Sequence, residues 1–578
     1  MRNPRGHTML GASLGDCVHV AGVLNFLNLA AEHGYNTSFL GAARTPEELA
    51  ALVKEHRAEV LAVGYRLDPE AARLLFRRLK AALDGQSVSP VLLFGGTPPV
   101  ATVAEQEGIF DAVFSGKEDI DEIIAYLRGP SVRPVGASSK TAPYPEDLVG
   151  RIQWKEPYPI LRHHFGLPSV DETVRGIERI AEAGVLDVIS IGPDQNAQAC
   201  FFHPEEMDRD QDGAGGVAVR TPQDLRRLYE ASRRGNFPLM RCYSGTRDVI
   251  RFAQVLLDAI NNAWAAIPLC WYNVLDRRGP RPLRQSISEA RQAIQWHAER
   301  GMPVEVNEAH HWSLRDAPDS VAVAAAYLAA YNARQAGVRD YVAQFMFNTP
   351  PNTTASMDLG KMLAKLDLMR QLEGDSFRIW REVRAGLASF PVDLGQAKGQ
   401  LATSTLVSMN LRPHIVHVVG YCEGDHIASA EDVIESCRIA RGVIRNCLGG
   451  MPDMTKDESV QRRRRELVQD AEVLLQGIEE LHKMRSEGVL RQSGRWGSHE
   501  QPGPDAFTDA STLALAIEVG LLDAPHLKGN PNACGQVVTA MVGGACVAVD
   551  AVTGKRLSER ERVGRILDSL AVSRAAGT

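Results

Sequence analysis

Short apolar runs and amphipathic stretches alternate through the first 128 residues. Residues 10–14 predict a strand, residues 23–32 a helix, His33-Gly34-Tyr35 a turn, and the residues after it a second strand running into Gly41. Residues 58–63 and 92–96 read as further buried strands, and a helix over 118–127 closes the module. In a strand, loop, helix, strand unit, the loop at the carboxyl end of the first strand faces ligand. The expected class for residues 1–128 is therefore α/β.

Residues 129–158 are rich in Pro, Ser and Lys and read as an extended interdomain linker. From about residue 159 the pattern settles into strand–helix alternation. Helices are expected at 171–183, 221–234, 248–260, 283–300, 319–336 and 358–373. Strands are expected at 187–191, 238–242, 267–272, 303–307, 341–347 and 414–419. Alternation of this kind with repeated Gly or Pro stops predicts a (β/α)8 TIM barrel over 159–450. A helix at 429–447, a long charged helix at 456–486, a Gly/Ser/Pro loop at 488–504 and a last segment at 509–567 follow. Residues 451–578 are thus a helical and C-terminal extension, and no internal repeat is visible.

Composition narrows the classes. The 578 residues are 44% apolar and 23% charged, with room for several cores. A net charge of −7 disfavours nucleic acid as a partner, and the arginines within 461–465 are flanked by Asp457, Glu458 and Glu466, as on a solvated helix face. No apolar window is long enough to span a bilayer, and no signal peptide is seen. Nine scattered cysteines without CxxC pairs argue against an iron–sulfur cluster or structural zinc and for a cytoplasmic protein.

Candidate chemistry collects in two places. The first loop carries Asp16, Cys17 and His19 ahead of Gly22. His19 is either a ligand-binding imidazole or an ordinary cap of the following helix. The expected carboxyl ends of the barrel strands give Arg162, residues 193–198, Arg241-Cys242-Tyr243, Trp271-Tyr272-Asn273, Asn307-Glu308, Asn348 and residues 420–425. This polar and aromatic ring suits a carboxylate, since two arginines at a barrel mouth need an acid to offset them. His163, His164, His310, His311 and Glu308 offer a metal-hydrolysis alternative. Adjacent histidines on a strand face opposite ways, so each pair supplies one ligand at most.

Residues 1–128 resemble the cobalamin-binding small subunit of glutamate mutase. That family carries Asp-x-His-x-x-Gly here; His19-Val20-Ala21-Gly22 matches the second half, while Asp16 stands one residue too far away, as Asp-x-x-His. The resemblance implies a flavodoxin-like, doubly wound domain in which His19 ligates cobalt and Asp16 holds its far ring N–H. It also implies that Gly64, Gly95 and Gly96 let the nucleotide tail approach backbone. The family's Ser-x-Leu reads Gly64-Tyr65-Arg66. Residues 159–567 resemble the large subunit, as though both subunits were fused. Arg162 and Arg241 match substrate-carboxylate arginines, Tyr272 in Tyr272-Asn273-Val274 matches the tyrosine at substrate, and Glu423 matches the glutamate on the adenosyl ribose. The segments 520–525 and 529–532 match the part packing near the corrin.

Three family positions differ. The third carboxylate arginine is Gln198, the ribose lysine is Val419, and no glutamate for the substrate ammonium occurs within 264–271. The resemblance therefore implies an adenosylcobalamin-dependent carbon-skeleton mutase, a homodimer by family likeness. Its substrate would be a small carboxylic or amino acid other than glutamate, with an apolar portion facing Trp264, Trp271 and Trp312. Corrinoid-dependent methyl transfer and a non-catalytic cobalamin sensor or carrier are the rivals.

Overall fold

A computed structural model describes residues 7–118, 120–128, 144–488 and 502–572. The chain divides into two units, Met1–Lys140 and Thr141–Thr578. Among the described residues of the first, five strands alternate with five helices: β1 (Thr8–Leu14), α1 (Ala21–Glu32), β2 (Asn36–Arg44), α2 (Pro46–His56), β3 (Val60–Tyr65), α3 (Pro69–Gln86), β4 (Val91–Gly96), α4 (Pro98–Glu107), β5 (Ala112–Phe114) and α5 (Ile120–Arg128). The strands run parallel in the order β2-β1-β3-β4-β5. Period-two alternation explains why both faces are covered. Leu10, Ala12, Leu14, Leu61 and Val63 join one core with α2 to α4. Met9, Val60, Ala62 and Leu93 join the other with Val23 and Leu27 of α1. Strand order reverses between β1 and β3, so the loops after these strands flank the crevice where such sheets bind ligands.

Among its described residues the second unit contains eight parallel strands: β6 (Ile160–Phe165), β7 (Val188–Ile191), β8 (Leu239–Cys242), β9 (Ala265–Ile267), β10 (Val304–Val306), β11 (Asp340–Phe347), β12 (Arg378–Ala385) and β13 (Ile415–His417). Their order, β8-β7-β6-β13-β12-β11-β10-β9, is that of a barrel. Bonds from Ala263 N to Met240 O (2.9 Å) and from Ser244 N to Ala266 O (3.3 Å) draw its first and last strands together. The barrel helices are α6 (Leu148–Lys155), α7 (Val170–Ala183), α8 (Gln195–Cys200), α9 (Pro222–Ala231), α10 (Val249–Ile260), α11 (Leu283–Ala298), α12 (Ala309–Ser313), α13 (Asp319–Gln335), α14 (Ala355–Arg370), α15 (Leu394–Ser408) and α16 (Ala430–Leu448). A long α17 (Glu458–Ser486) lies on α13 and α14, followed by α18 (Ala510–Glu518), a hairpin of β14 (Val538–Val542) and β15 (Ala545–Val549), and α19 (Glu559–Val572). Among the described residues no helix is long and apolar enough to cross a membrane.

Several expectations change here. The stretch read as an extended linker contains α6, whose Leu148 and Ile152 plug the amino ends of the strands against Ile160, Val188, Leu239, Trp264, Trp380 and Ile415. Residues 129–143 of that stretch, and 489–501 of the later loop, lie outside the described residues. The strand expected at 267–272 is instead Ala265–Ile267, because Pro268 has no N–H for a ladder and Tyr272 takes a positive φ of 64°. β12 escapes the apolar pattern altogether, since Arg378-Ile379-Trp380-Arg381-Glu382-Val383-Arg384-Ala385 turns Glu382 into a charged barrel interior. His310 and His311 sit on the short helix α12, not on a strand.

Candidate functional site

In the first unit the loop after β1 presents His19 and Asp16 to solvent, with Cys17 buried beneath them. Asp16 does not reach the imidazole: the atom beside His19 Nδ1 is Cys17 Sγ, at 3.8 Å. The extra residue in the loop has put a thiol where the family pattern puts a carboxylate. The backbone of Cys17 is pinned by Ser13 Oγ, which donates to its carbonyl, and by Ala43 N (3.1 Å).

The four glycines of this crevice have different reasons for being glycine. A Cβ on Gly22 or Gly95 would meet nothing within 4 Å. At Gly64 it would lie 2.5 Å from Val23 Cγ2 of α1, and at Gly96 2.5 Å from Tyr65 O. Gly22 and Gly95 thus border free space, whereas Gly64 and Gly96 serve close packing as it stands. An exposed imidazole at the switch point beside open glycine backbone suits a large planar cofactor with a tail. His19, Gly22 and Gly95 are the residues that would hold it.

In the barrel, the two arginines lie deep inside rather than at the mouth, and each already has an acid. Arg162 Nη2 sits 2.8 Å from Glu382 Oε1, and Arg162 Nη1 donates to Ser190 Oγ at 2.7 Å. Arg241 Nη2 donates to Glu305 Oε2 at 2.6 Å. Trp264 underlies both guanidinium groups, at 5.7 and 5.1 Å, and donates Nε1–H to Glu305 at 2.9 Å. Gln344 links the two carboxylates by donating to Glu305 Oε1 at 2.8 Å and Glu382 Oε1 at 3.3 Å. This pairing satisfies much of the network but not all of it. Arg241 Nε and Nη1, Glu382 Oε2 and Gln344 Oε1 are buried without a partner. Unmet donors and acceptors at such depth are costly unless something binds them.

Above this layer stands a third arginine that sequence reasoning missed. Arg384 is buried on β12, donates Nε–H to Ala385 O at 3.2 Å, and has no carboxylate at ion-pair distance among the described residues. Burial, chiefly, holds its pKa down. The two inward charges of β12, Glu382 and Arg384, are spaced at the strand period, which is the signal that was available. His164 stacks on Tyr243 (5.0 Å between centroids) and lies edge-on to His417 at 4.9 Å; Tyr243 Oη and His164 Nε2 are 3.0 Å apart. Desolvation, then the nearby arginines, press the pKa of His164 and His417 well below the ordinary value. Both are neutral at pH 7. The interior therefore holds three guanidinium groups against two carboxylates, an excess that favours an anion.

The remaining expected residues are more dispersed. Tyr272 is buried, with Arg278 4.6 Å over its ring and His311 at 5.6 Å, and burial raises its phenol. Gln198, on α8, turns its amide to Pro193 O at 2.7 Å instead of standing in for an arginine. Glu423 is exposed on the loop after β13; desolvation raises its carboxyl while Arg384 lowers it. Trp264 belongs to the floor, whereas Trp271 and Trp312 pack on each other at 4.8 Å. Glu308 accepts from Leu269 N, Cys270 N and Trp312 Nε1 at 2.8 to 3.1 Å, and burial pushes its carboxyl to about 7. It is occupied with its own chain. His163, His164, His310, His311 and Glu308 do not converge as metal ligands; among the described residues ligand atoms gather elsewhere, at Cys422, His426 and Asp432 and at His203, Glu205 and Glu206.

The model of the B12 binding domain matches residues 7–125, and this part of the chain is a B12-binding domain. No curated protein matches the sequence. Among solved structures, D-psicose 3-epimerase with D-tagatose from Clostridium cellulolyticum H10 is similar at 10% identity and a TM-score of 0.20, over 54% of this chain and 98% of its own. The apo, cobalamin-dependent S-adenosylmethionine radical enzyme OxsB is similar at 10% identity and a TM-score of 0.16, over 99% of this chain and 80% of its own. Likenesses this low have no bearing on the barrel's chemistry.

Proposed function

We propose that the chain is an adenosylcobalamin-dependent carbon-skeleton mutase acting on a small carboxylic or amino acid other than glutamate. The observation that carries this reading is a B12-binding domain in one chain with a barrel whose buried Arg241 keeps two donors unmet. When bound, adenosylcobalamin supplies the hydrogen-abstracting radical chemistry that no side chain can. The protein's part is to position and enclose. Arg241 Nε and Nη1, on opposite sides of the guanidinium, each leave an N–H for a substrate oxygen, and Arg384 adds a second cation nearer the mouth. Glu382 Oε2 and Gln344 Oε1 accept from a substrate ammonium or hydroxyl, a role for which sequence reasoning found no residue. The neutral imidazoles of His164 and His417 line the interior without adding charge. Tyr272 and Tyr243 close its side, and the α6 plug keeps water from entering at the bottom.

The test is incubation of the purified chain with adenosylcobalamin and a panel of carboxylic and amino acids, followed by nuclear magnetic resonance of the products. Conversion of one acid into its skeletal isomer, lost in Arg241→Met, supports the mutase. Methylated product formed from methylcobalamin supports the methyl-transfer rival, which Val419 at the family's ribose-lysine position favours. Cobalamin binding without turnover supports the carrier.

A further inference from the structure

At the carboxyl end of the barrel, the loop between β13 and α16 gathers metal-ligating atoms that the mutase reading does not use. Cys422, His426 and Asp432 each bring one ligand atom within 4.8 Å of the others. Cys422 is buried, Asp432 is half-buried and His426 is exposed, so the group has a sealed side and an entry side. His426 Nδ1 lies 2.6 Å from Asp425 Oδ2 and its Nε2 lies 3.2 Å from Asp432 Oδ2. A carboxylate on Nδ1 fixes the tautomer whose Nε2 lone pair is free for a metal. A bland reading exists: Asp432 is the capping-box residue of α16, accepting from Ser429 N at 2.9 Å and Ser429 Oγ at 2.6 Å, with His426 as its counter-ion.

A second observation separates the two readings. His163 points outward from β6, away from the substrate side where His164 lies. It is 5% exposed, its Nδ1 is bonded to the carbonyl of His164, and its Nε2 is buried with no partner. The carbonyl requires the proton on Nδ1 and leaves the Nε2 lone pair unused. A Cβ at Gly420 would stand 3.3 Å from both His163 Nε2 and Cys422 Sγ, so glycine keeps open a gap that these two soft donors share. Capping accounts for Asp432; it gives no reason for an orphaned imidazole nitrogen and a thiol bordering the same gap at Gly420. Local charge agrees. Glu423, Asp425, Asp432 and Glu435 crowd the loop, and Lys398, 2.6 Å from Glu435, is the lysine paired with them.

We propose that Cys422, His426 and Asp432 bind a zinc-class divalent cation, with His163, which stands outside that group of three, drawn in as the fourth donor. Thiolate and imidazole ligands select zinc or cobalt(II) over magnesium or calcium, and four such donors suit a tetrahedral ion. Burial holds the Cys422 thiol up at about 11, so it enters the site protonated. On binding, the sulfur–hydrogen bond breaks, a metal–sulfur bond forms and one proton passes to solvent, with no change of oxidation state. The ion would tie the mouth loop carrying Glu423 to β6. The exposed group of His203, Glu205 and Glu206, whose histidine is held by Asp248 at 3.0 Å, has no such second observation and serves as a control. The proposal does not depend on the mutase reading.

The test uses the full chain, stripped of metal and free of corrinoid, titrated with cobalt(II). The expected result is one equivalent giving a near-ultraviolet thiolate-to-cobalt charge-transfer band, displaced by one equivalent of zinc. Cys422→Ser should abolish the band, Asp432→Asn and His426→Ala should weaken zinc binding about tenfold or more, His163→Ala about tenfold, and His203→Ala not at all. Should Cys422→Ser fail to fold, alkylation of the wild-type chain decides: zinc must protect Cys422 from iodoacetamide. A band that survives Cys422→Ser, or no stoichiometric metal and no protection, overturns the site.

Discussion

The loop after β1 and the interior of the barrel are both candidate binding sites, yet they are built on opposite principles. The loop is exposed, holds His19 through a single sulfur contact, and owes its openness to Gly22 and Gly95. The barrel interior is buried and fixed by ion pairs that join β6 to β12 and β8 to β10. Desolvated charge pairs are expensive to assemble and more expensive to break, so binding and stability are coupled in the barrel and nearly independent in the loop.

Breaking the barrel pairing has the largest expected effect. Glu382→Ala leaves Arg162 buried beside Arg384 without an acid and should cost about 3–5 kcal/mol, read from urea unfolding. Replacing both partners, Arg162→Met with Glu382→Leu, should recover most of that loss. Next comes pH. Glu308 has its carboxyl raised from 4.5 to about 7 by burial, so its contribution is full below about pH 4.5 and is lost as pH rises through 7. Between pH 5 and pH 8 the wild type should lose on the order of 3 kcal/mol relative to Glu308→Gln, whose side chain stays neutral.

The glycines sharpen the contrast from the other side. Gly64→Ala drives a Cβ to 2.5 Å from Val23 and should destabilise the first unit by about 1–3 kcal/mol. Gly95→Ala meets open space and should change stability by less than about 0.5 kcal/mol, while weakening cobalamin binding measured by absorbance titration. The smallest stability effect belongs to His19→Ala, again within about 0.5 kcal/mol. Its effect should be spectroscopic: bound cob(II)alamin loses the superhyperfine splitting from a histidine nitrogen. If that splitting persists, His19 is not the ligand.

Much of this was legible in the chain because apolar periodicity reports burial. β1, β3, β4 and most barrel strands read as apolar runs, whereas the three-residue β5 was not expected, and Arg162 and Arg241 announced themselves as charges within the barrel. β12 did not, because its interior positions carry Glu382 and Arg384; a charged interior inverts the pattern that marks a strand. The α6 plug was hidden for a similar reason. Only Leu148 and Ile152 of its eight residues are buried in the apolar contact, with Val149 packed beside them, inside a stretch otherwise rich in polar residues and proline. The acids offsetting the arginines come from strands 64 and 220 residues away in sequence, a distance at which spacing conveys nothing. The replacement of Asp16 by Cys17 at His19 depended on how a one-residue insertion folds, which is set by the loop's own hydrogen bonds.

The most direct measurement is electron paramagnetic resonance of the chain loaded with adenosylcobalamin and frozen with each of a panel of carboxylic and amino acids. The account expects an acid-dependent signal of an organic radical coupled to cob(II)alamin, abolished in Arg241→Met while cobalamin binding is retained. A chain that binds adenosylcobalamin tightly, yet gives no such signal with any acid, or gives it equally in Arg241→Met, would contradict it.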